Sequence, residues 1–486
     1  MADPTVASIT QSFSRMDVPL WRKSPKRLCQ ARTLRIIALA AFGFSAPRGA
    51  YCADPQLPAE SASSPTLHEL LAAYFRVDDP KERSQAVSKI VLTTDGNIER
   101  TAEELRKVQL WTDQPDKGTW TIKLPSGDQI EVLVRLPQRY NPGQAMPVIL
   151  AMPPQGQSTH DALDAAIDAI GAPGRDHAWV MPAEPVSGAF HQPIAAALNL
   201  PALLREIRRH IHVDCERTYL LGFSDGASAA WNVAIMYPSE FAGVIVTNGY
   251  PRIPYPQQAY ALLLPNLGEL PVLALWNRPG APEHSESVAM VAINQAIADF
   301  AKHASLRITG VELAGDWTRP DQDSEVHNEI SRILSSRRSA TTARIRHWFR
   351  YPGQGRCGWL RATEFADDVW QDDQFSITPG PTTDRDRFIT DTIAEKLALL
   401  SGHVEGQSIF IETRRCGGVE LRLSPGQIDF EKPVTVVCNG RKRFDGLIRP
   451  SITDLLESAY EDWDFQHLVF ARKTFLIRTD SSVDVP

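Results

Sequence analysis

At 486 residues the chain has room for about two to four domains. Hydrophobic residues make up 43% and charged residues 22%, a balance that can bury sizeable cores and is unlike that of a disordered protein. The formal net charge of −7 argues against a nucleic-acid partner, which would call for a basic face. Six cysteines, none in a C-x-x-C pair, are too few for a disulfide framework and argue against a structural zinc site, so no cofactor and no metal are expected.

Residues 1–53 read as a secretory signal. Arg22, Lys23, Lys26, Arg27, Arg32 and Arg35 form a basic region, Ile36 to Ala46 an apolar run, and Ala50-Tyr51-Cys52-Ala53 a small-residue site for cleavage. The run is too short to span a bilayer. The expectation is a secreted or periplasmic protein without stable membrane insertion, with a mature chain beginning near Ala53. In that oxidising compartment Cys416 and Cys438 could form a disulfide. A linker (54–65) rich in Pro, Ala and Ser follows. Residues 66–112 then show helical spacing in LHELLAAYF, Lys81 to Val91 and Ile98 to Leu110, broken by the turn Thr94-Asp95-Gly96-Asn97. This helical prefix is expected to pack on the main domain.

From Thr119 the period changes to two, with a hairpin signal at Ser126-Gly127-Asp128. Short apolar runs follow at PVILAM (147–152), HAWVM (177–181), Tyr219 to Leu221, GVIVT (243–247), PVLALW (271–276) and RITGVEL (307–313). Helix-like segments separate them, including Asp161 to Ile170, Asn199 to His210, Ala227 to Tyr237 and Ser285 to His303. Such alternation predicts an α/β fold with a doubly wound parallel sheet over residues 113–341, its ligand at the carboxyl ends of the strands. A last helix, Glu325 to Arg338, closes it. Residues 342–486 change to short alternating strands with turns at Gly417-Gly418, Pro425-Gly426 and Asn439-Gly440, which predicts an all-β C-terminal domain. Asp367 to Arg387 reads as a long polar loop. Arg441-Lys442-Arg443 reads as a charged hairpin tip.

The stretch TYLLGFSDG (218–226) places a G-x-S-x-G pattern between a strand and a helix, the setting of a nucleophile elbow. Ser224 is then the candidate nucleophile. With its flanks, HVDCERTYLLGFSDGASAAWNVAIMYPSEFAGVIVTNGYP resembles the elbow region of α/β-hydrolases of the esterase D or polyhydroxybutyrate-depolymerase type, relatives of prolyl oligopeptidases. Asp214 to Arg217 matches their Asp-x-x-Arg turn before the elbow strand. The tail PVTVVCNGRKRFDGLIRPSITDLLESA resembles a β module attached to secreted bacterial hydrolases. The resemblance implies an α/β-hydrolase fold, a Ser-His-Asp triad and hydrolysis of an ester or peptide substrate.

A serine hydroxyl needs a base, an acid that orients the base, and two N–H donors for the oxyanion. Asp225, after the nucleophile, supplies one donor. The family's second donor follows the strand ending near Leu150, but Pro153 and Pro154 stand there without N–H groups, leaving Gln155 or Gly156. After Trp276 the family has a His-Gly-x-x-Asp pattern and this chain has Asn277-Arg278-Pro279-Gly280, so Glu283 becomes the candidate acid, with Glu286 nearby. After Leu313 the family's Gly-x-Gly-His turn is replaced by Ala314-Gly315-Asp316-Trp317-Thr318. His284 and His327 remain as candidate bases, with His160 a weaker third. Two readings stay open: a secreted serine hydrolase, or a catalytically degenerate α/β-hydrolase fold retained for binding or as a scaffold. His210, His212 and Cys215, and the acidic Asp367, Asp368, Asp372 and Asp373, lack the spacing of metal loops. Trp231 is read as core.

Overall fold

Strands buried on both faces divide their side chains between two cores, because successive residues point to opposite sides of a sheet. A computed structural model describes residues 65–111, 115, 118–124, 127, 129–154, 156–183, 193–252, 260–277, 285–313, 323–339, 342–365 and 385–477. Its central element is an eight-stranded sheet. The strands are β1 (Gly118–Lys123), β2 (Gln129–Arg135), β3 (Met146–Met152), β4 (Ala178–Pro182), β5 (Val213–Phe223), β6 (Gly243–Thr247), β7 (Val272–Asn277) and β8 (Ile308–Leu313), in the order β1-β2-β4-β3-β5-β6-β7-β8. β2 runs antiparallel to both its neighbours, and every other pairing is parallel. Val148, Leu150, Leu220, Val244, Val246 and Val272 face one core, and Ile149, Ala151, Leu221, Ile245 and Leu273 face the other. All seven residues of β3 and all five of β6 are buried, which is why these strands read as unbroken apolar runs.

Helices cover both faces. The helix Asp225–Met236 is buried from Gly226 onward, and four alanines (Ala227, Ala229, Ala230, Ala234) let it lie close to the sheet, with Trp231 fully buried. Helices Thr159–Ile170 and Ser324–Leu334 pack on the opposite face. The Asp-x-x-Arg turn expected before the elbow strand lies inside β5. It is a bulge that shifts the β3 register between Met146 and Val148, held by an Arg217–Asp214 ion pair at 2.5 Å.

The C-terminal region is a sandwich of a five-stranded sheet and a four-stranded sheet around one apolar core. It is not purely β as expected, since helices Arg385–Lys396 and Ile452–Asp462 belong to it. The Asn439-Gly440 hairpin turn forms as expected, with φ of 50° and 73°. Gly417-Gly418 is not a turn. It lies within the strand Cys416–Leu423, opposite a bulge at Glu364, and a Cβ on Gly418 would stand 2.4 Å from Thr363 Oγ1. Cys416 and Cys438 are free buried thiols, not a disulfide. The Cys416 thiol instead donates to the carbonyls of Arg414 and Leu399, at 3.4 and 3.6 Å.

Helices Leu67–Phe75, Pro80–Thr94 and Ile98–Leu105 form as the spacing predicts, but their core is not shared chiefly with the α/β sheet. Leu71, Tyr74, Phe75, Ile90 and Leu105 pack with Leu455, Leu456, Tyr460 and Phe465 of the C-terminal region. The reason is supply: helix Ile452–Asp462 presents an apolar face that the sandwich leaves uncovered. Trp111 ties this cluster to the α/β sheet, stacking on His212 at 4.0 Å and donating its indole N–H to the Arg208 carbonyl. No helix among the described residues is long and apolar enough to cross a membrane. The signal, linker and acidic-loop readings lie outside the described residues, apart from the last residues of that loop, Arg385 to Arg387, which open a helix.

Candidate active site

Ser224 sits where the elbow pattern puts it, one residue beyond β5 and directly before the helix Asp225–Met236. Its side is fixed by the ladder: Gly222 pairs with Met152 of β3 and Val246 of β6, and the Ser224 N–H donates to the Thr247 carbonyl at 2.9 Å. The backbone must then reverse into the helix within one residue. Ser224 does so at φ 52°, ψ −124°, a region that costs a non-glycine residue on the order of 1–3 kcal/mol. The side chain is left exposed.

The flanking glycines are steric requirements. A Cβ on Gly222 would lie 2.2 Å from the Gly226 carbonyl oxygen, and one on Gly226 would lie 2.3 Å from the Met152 carbonyl oxygen. The second contact also shows that the segment leaving β3 presses directly against the elbow. Pro153, which has no N–H to donate, is therefore the residue standing beside the turn, at the place where the family resemblance leads one to expect a second oxyanion donor. Gln155 lies outside the described residues. Asp225 occupies the first helical position, where an N–H has no carbonyl of a preceding helical turn to bond.

A second turn adjoins the elbow. Asn248, at φ 53° after β6, accepts the Asn277 N–H on its side-chain oxygen at 2.9 Å, so the ends of β6 and β7 are held together beside Ser224. Gly249 follows, with room for no side chain: a Cβ there would meet Ala227 Cβ at 2.5 Å and the Ser224 carbonyl oxygen at 2.6 Å. The segment ends at Arg252, whose Nη1 pairs with Asp225 Oδ1 at 2.9 Å. Sequence reasoning did not find Asn248 or Arg252. The Asn-Gly dipeptide after GVIVT was a usable turn signal for the first, and nothing local marks the second.

Glu283 and His284 lie outside the described residues, as does the side chain of Glu286. His327 is half-buried in the first turn of Ser324–Leu334, and His160 is exposed in the first turn of Thr159–Ile170. Neither is hydrogen-bonded to Ser224. Other described histidines bond through their rings elsewhere: His68 to Glu104, His467 to Asp464, His210 to the Glu206 carbonyl, His212 to the Pro142 carbonyl, and His347 to the Gln354 carbonyl. Burial pushes the His177 imidazole down to about 4; it packs against Tyr219 at the opposite edge of the sheet. Cys215 is a buried thiol whose burial pushes its pKa up, away from a ligand's thiolate form.

The strand order and the strained serine together define the class: this is an α/β-hydrolase fold. No protein-family model and no curated protein matches the chain. Solved structures similar to it include a thermostable esterase (15% identity, TM-score 0.35), covering 47% of this chain and 64% of the esterase. A putative dipeptidyl aminopeptidase IV from Bacteroides ovatus matches at 14% identity and TM-score 0.34, over 45% of this chain and 35% of its own. S-formylglutathione hydrolase from Staphylococcus aureus matches at 12% identity and TM-score 0.34, over 46% of this chain and 100% of its own. The esterase and the peptidase are thus each matched over less than two thirds of their length.

Proposed function

We propose that the chain is a serine hydrolase acting on a carboxylic ester or a peptide, with Ser224 as nucleophile. The observation that carries the reading is Ser224 itself: exposed, at a positive φ, in a turn where neither Gly222 nor Gly226 can bear a side chain. Strain of this kind persists where the surroundings over-determine it, as they do at reactive sites. Ser224 Oγ attacks the carbonyl carbon, its proton passes to a base, and the carbonyl oxygen takes up the charge facing the Asp225 N–H. His284 as that base and Glu283 as its acid are the candidates the sequence supplies. The basic, apolar and small-residue order of the N-terminus supports export to the cell exterior or periplasm.

One observation favours the second reading, a degenerate fold kept for binding: Pro153 stands against the elbow where an N–H is needed. A fluorophosphonate probe separates the two. Covalent labelling that disappears in Ser224→Ala is the expected result. Folded wild-type protein that takes up no probe would overturn the hydrolase reading in favour of the binding one.

A further inference from the structure

The segment Gly249–Arg252 is anchored more firmly than a surface connection needs to be. Three of its four carbonyls are each held by a side chain from a different helix. Asn294 Nδ2, buried in the helix Ser285–Ala304, donates to the Gly249 carbonyl at 3.0 Å. The Tyr260 hydroxyl donates to the Pro251 carbonyl at 2.6 Å. Asn232 Nδ2, buried in the elbow helix, donates to the Arg252 carbonyl at 3.3 Å. Gly249 is further wedged against Ala227 and the Ser224 carbonyl. Loops commonly sit on the surface without such support.

What this anchoring presents is a cation. The Arg252 side chain is 51% exposed and lies 5.6 Å from the Tyr250 ring centroid. Among the described residues its ion-pair partner is Asp225, the residue directly after Ser224, with Nη1 2.9 Å from Oδ1. A guanidinium carries five donors in a planar fork suited to a carboxylate. Among the described residues, Asp225 is the carboxylate that meets this fork. The elbow helix adds to the same field, since its N-terminus carries partial positive charge.

We propose that Arg252 recognises a carboxylate on the substrate, so that the ester or peptide hydrolysed at Ser224 carries a negative charge close to its scissile carbonyl. This rests on Ser224 being the nucleophile. Asp225 then positions the guanidinium beside the reacting serine, and its own charge sets the affinity for the incoming anion.

Succinate, with succinamide as the uncharged comparison, probes the site without turnover. Succinate is expected to raise the thermal midpoint of the wild-type protein and slow fluorophosphonate labelling of Ser224, while succinamide does neither. Arg252→Gln should weaken succinate binding about tenfold or more, the loss of a charge-assisted contact. Arg252→Lys should retain part of it, and Asp225→Asn, which removes the competing charge, should tighten it. Equal binding of succinate and succinamide, or succinate binding unchanged in Arg252→Gln, would overturn the proposal. Labelling reports separately: absent labelling with Arg252-dependent succinate binding removes the hydrolase reading and keeps the anion site. Labelling with no such binding does the reverse.

Discussion

The two edges of the eight-stranded sheet are built on opposite principles. At the carboxyl edge, Ser224 is exposed and held at a positive φ, with glycines and amide hydrogen bonds shaping the turns around it. At the amino edge, charged side chains join the sheet to the C-terminal sandwich and its helix. Arg338 pairs with Asp464 and Arg208 Nη1 donates to the Asp462 carbonyl at 3.1 Å, both across the two regions, while Arg208 also pairs with Glu240 inside the α/β region and Arg356 and Arg422 pair with Asp462 inside the C-terminal one, the latter at 2.6 Å. Arg422 is 1% exposed. Burial pushes the Asp462 carboxyl up, yet the two guanidiniums beside it prevail and hold it at about 2. One edge stores strain at an exposed turn, and the other uses charge to fix two regions together. The difference teaches that joining the regions and presenting the serine are separable tasks.

The largest effect expected tests that separation. Asp462→Ala leaves the buried Arg422 and the half-buried Arg356 without their shared partner and should cost about 3 kcal/mol in urea denaturation. Per folded molecule, labelling of Ser224 should stay at the wild-type rate; an equal loss of labelling would break the separation. Next comes pH. Burial pushes the His347 imidazole, in the strand Arg344–Phe349, down to about 4, although its hydrogen bond to Gln354 opposes this. It is neutral when folded and charged when unfolded between pH 6.5 and about 4, so the unfolded state binds more protons there. Its contribution is full above pH 6.5 and is lost as pH falls through that window, by up to ~3 kcal/mol. His347→Gln, which keeps a donor for the Gln354 carbonyl, should flatten the acid limb of a stability–pH curve. An unchanged limb would assign it to other groups, His177 among them. The smallest effect belongs to the elbow: Ser224→Gly should raise stability by about 1 kcal/mol, because glycine tolerates the positive φ. No gain would mean that the turn is not strained.

Much of the fold is legible before any coordinates. Central strands such as PVILAM and GVIVT announce themselves because burial on both faces leaves no polar position. The elbow is legible because part of its constraint is local: Gly222 must clear the Gly226 carbonyl within the same five residues, whereas Gly226 must clear the Met152 carbonyl of another strand. Gly417-Gly418 misleads for the converse reason. The glycines there make room for a neighbouring strand's bulge, a demand set by Thr363 and Glu364 rather than by the chain's own direction. Cys416 and Cys438 share a core as free thiols, the Cys416 thiol donating to the Arg414 and Leu399 carbonyls.

By itself, the sequence determines the central strands of the α/β sheet, the helices between them and the elbow that presents Ser224, since periodicity and turn sterics act over a few residues. The tertiary structure decides which cation pairs with the residue after that serine, which proline adjoins the elbow, and what the helices between Leu67 and Leu105 pack against. Those contacts join residues far apart in the chain, as when the Tyr74 hydroxyl meets Glu457 at 3.0 Å or Arg252 meets Asp225. No local pattern encodes such pairings, because they arise only once the cores have placed the elements.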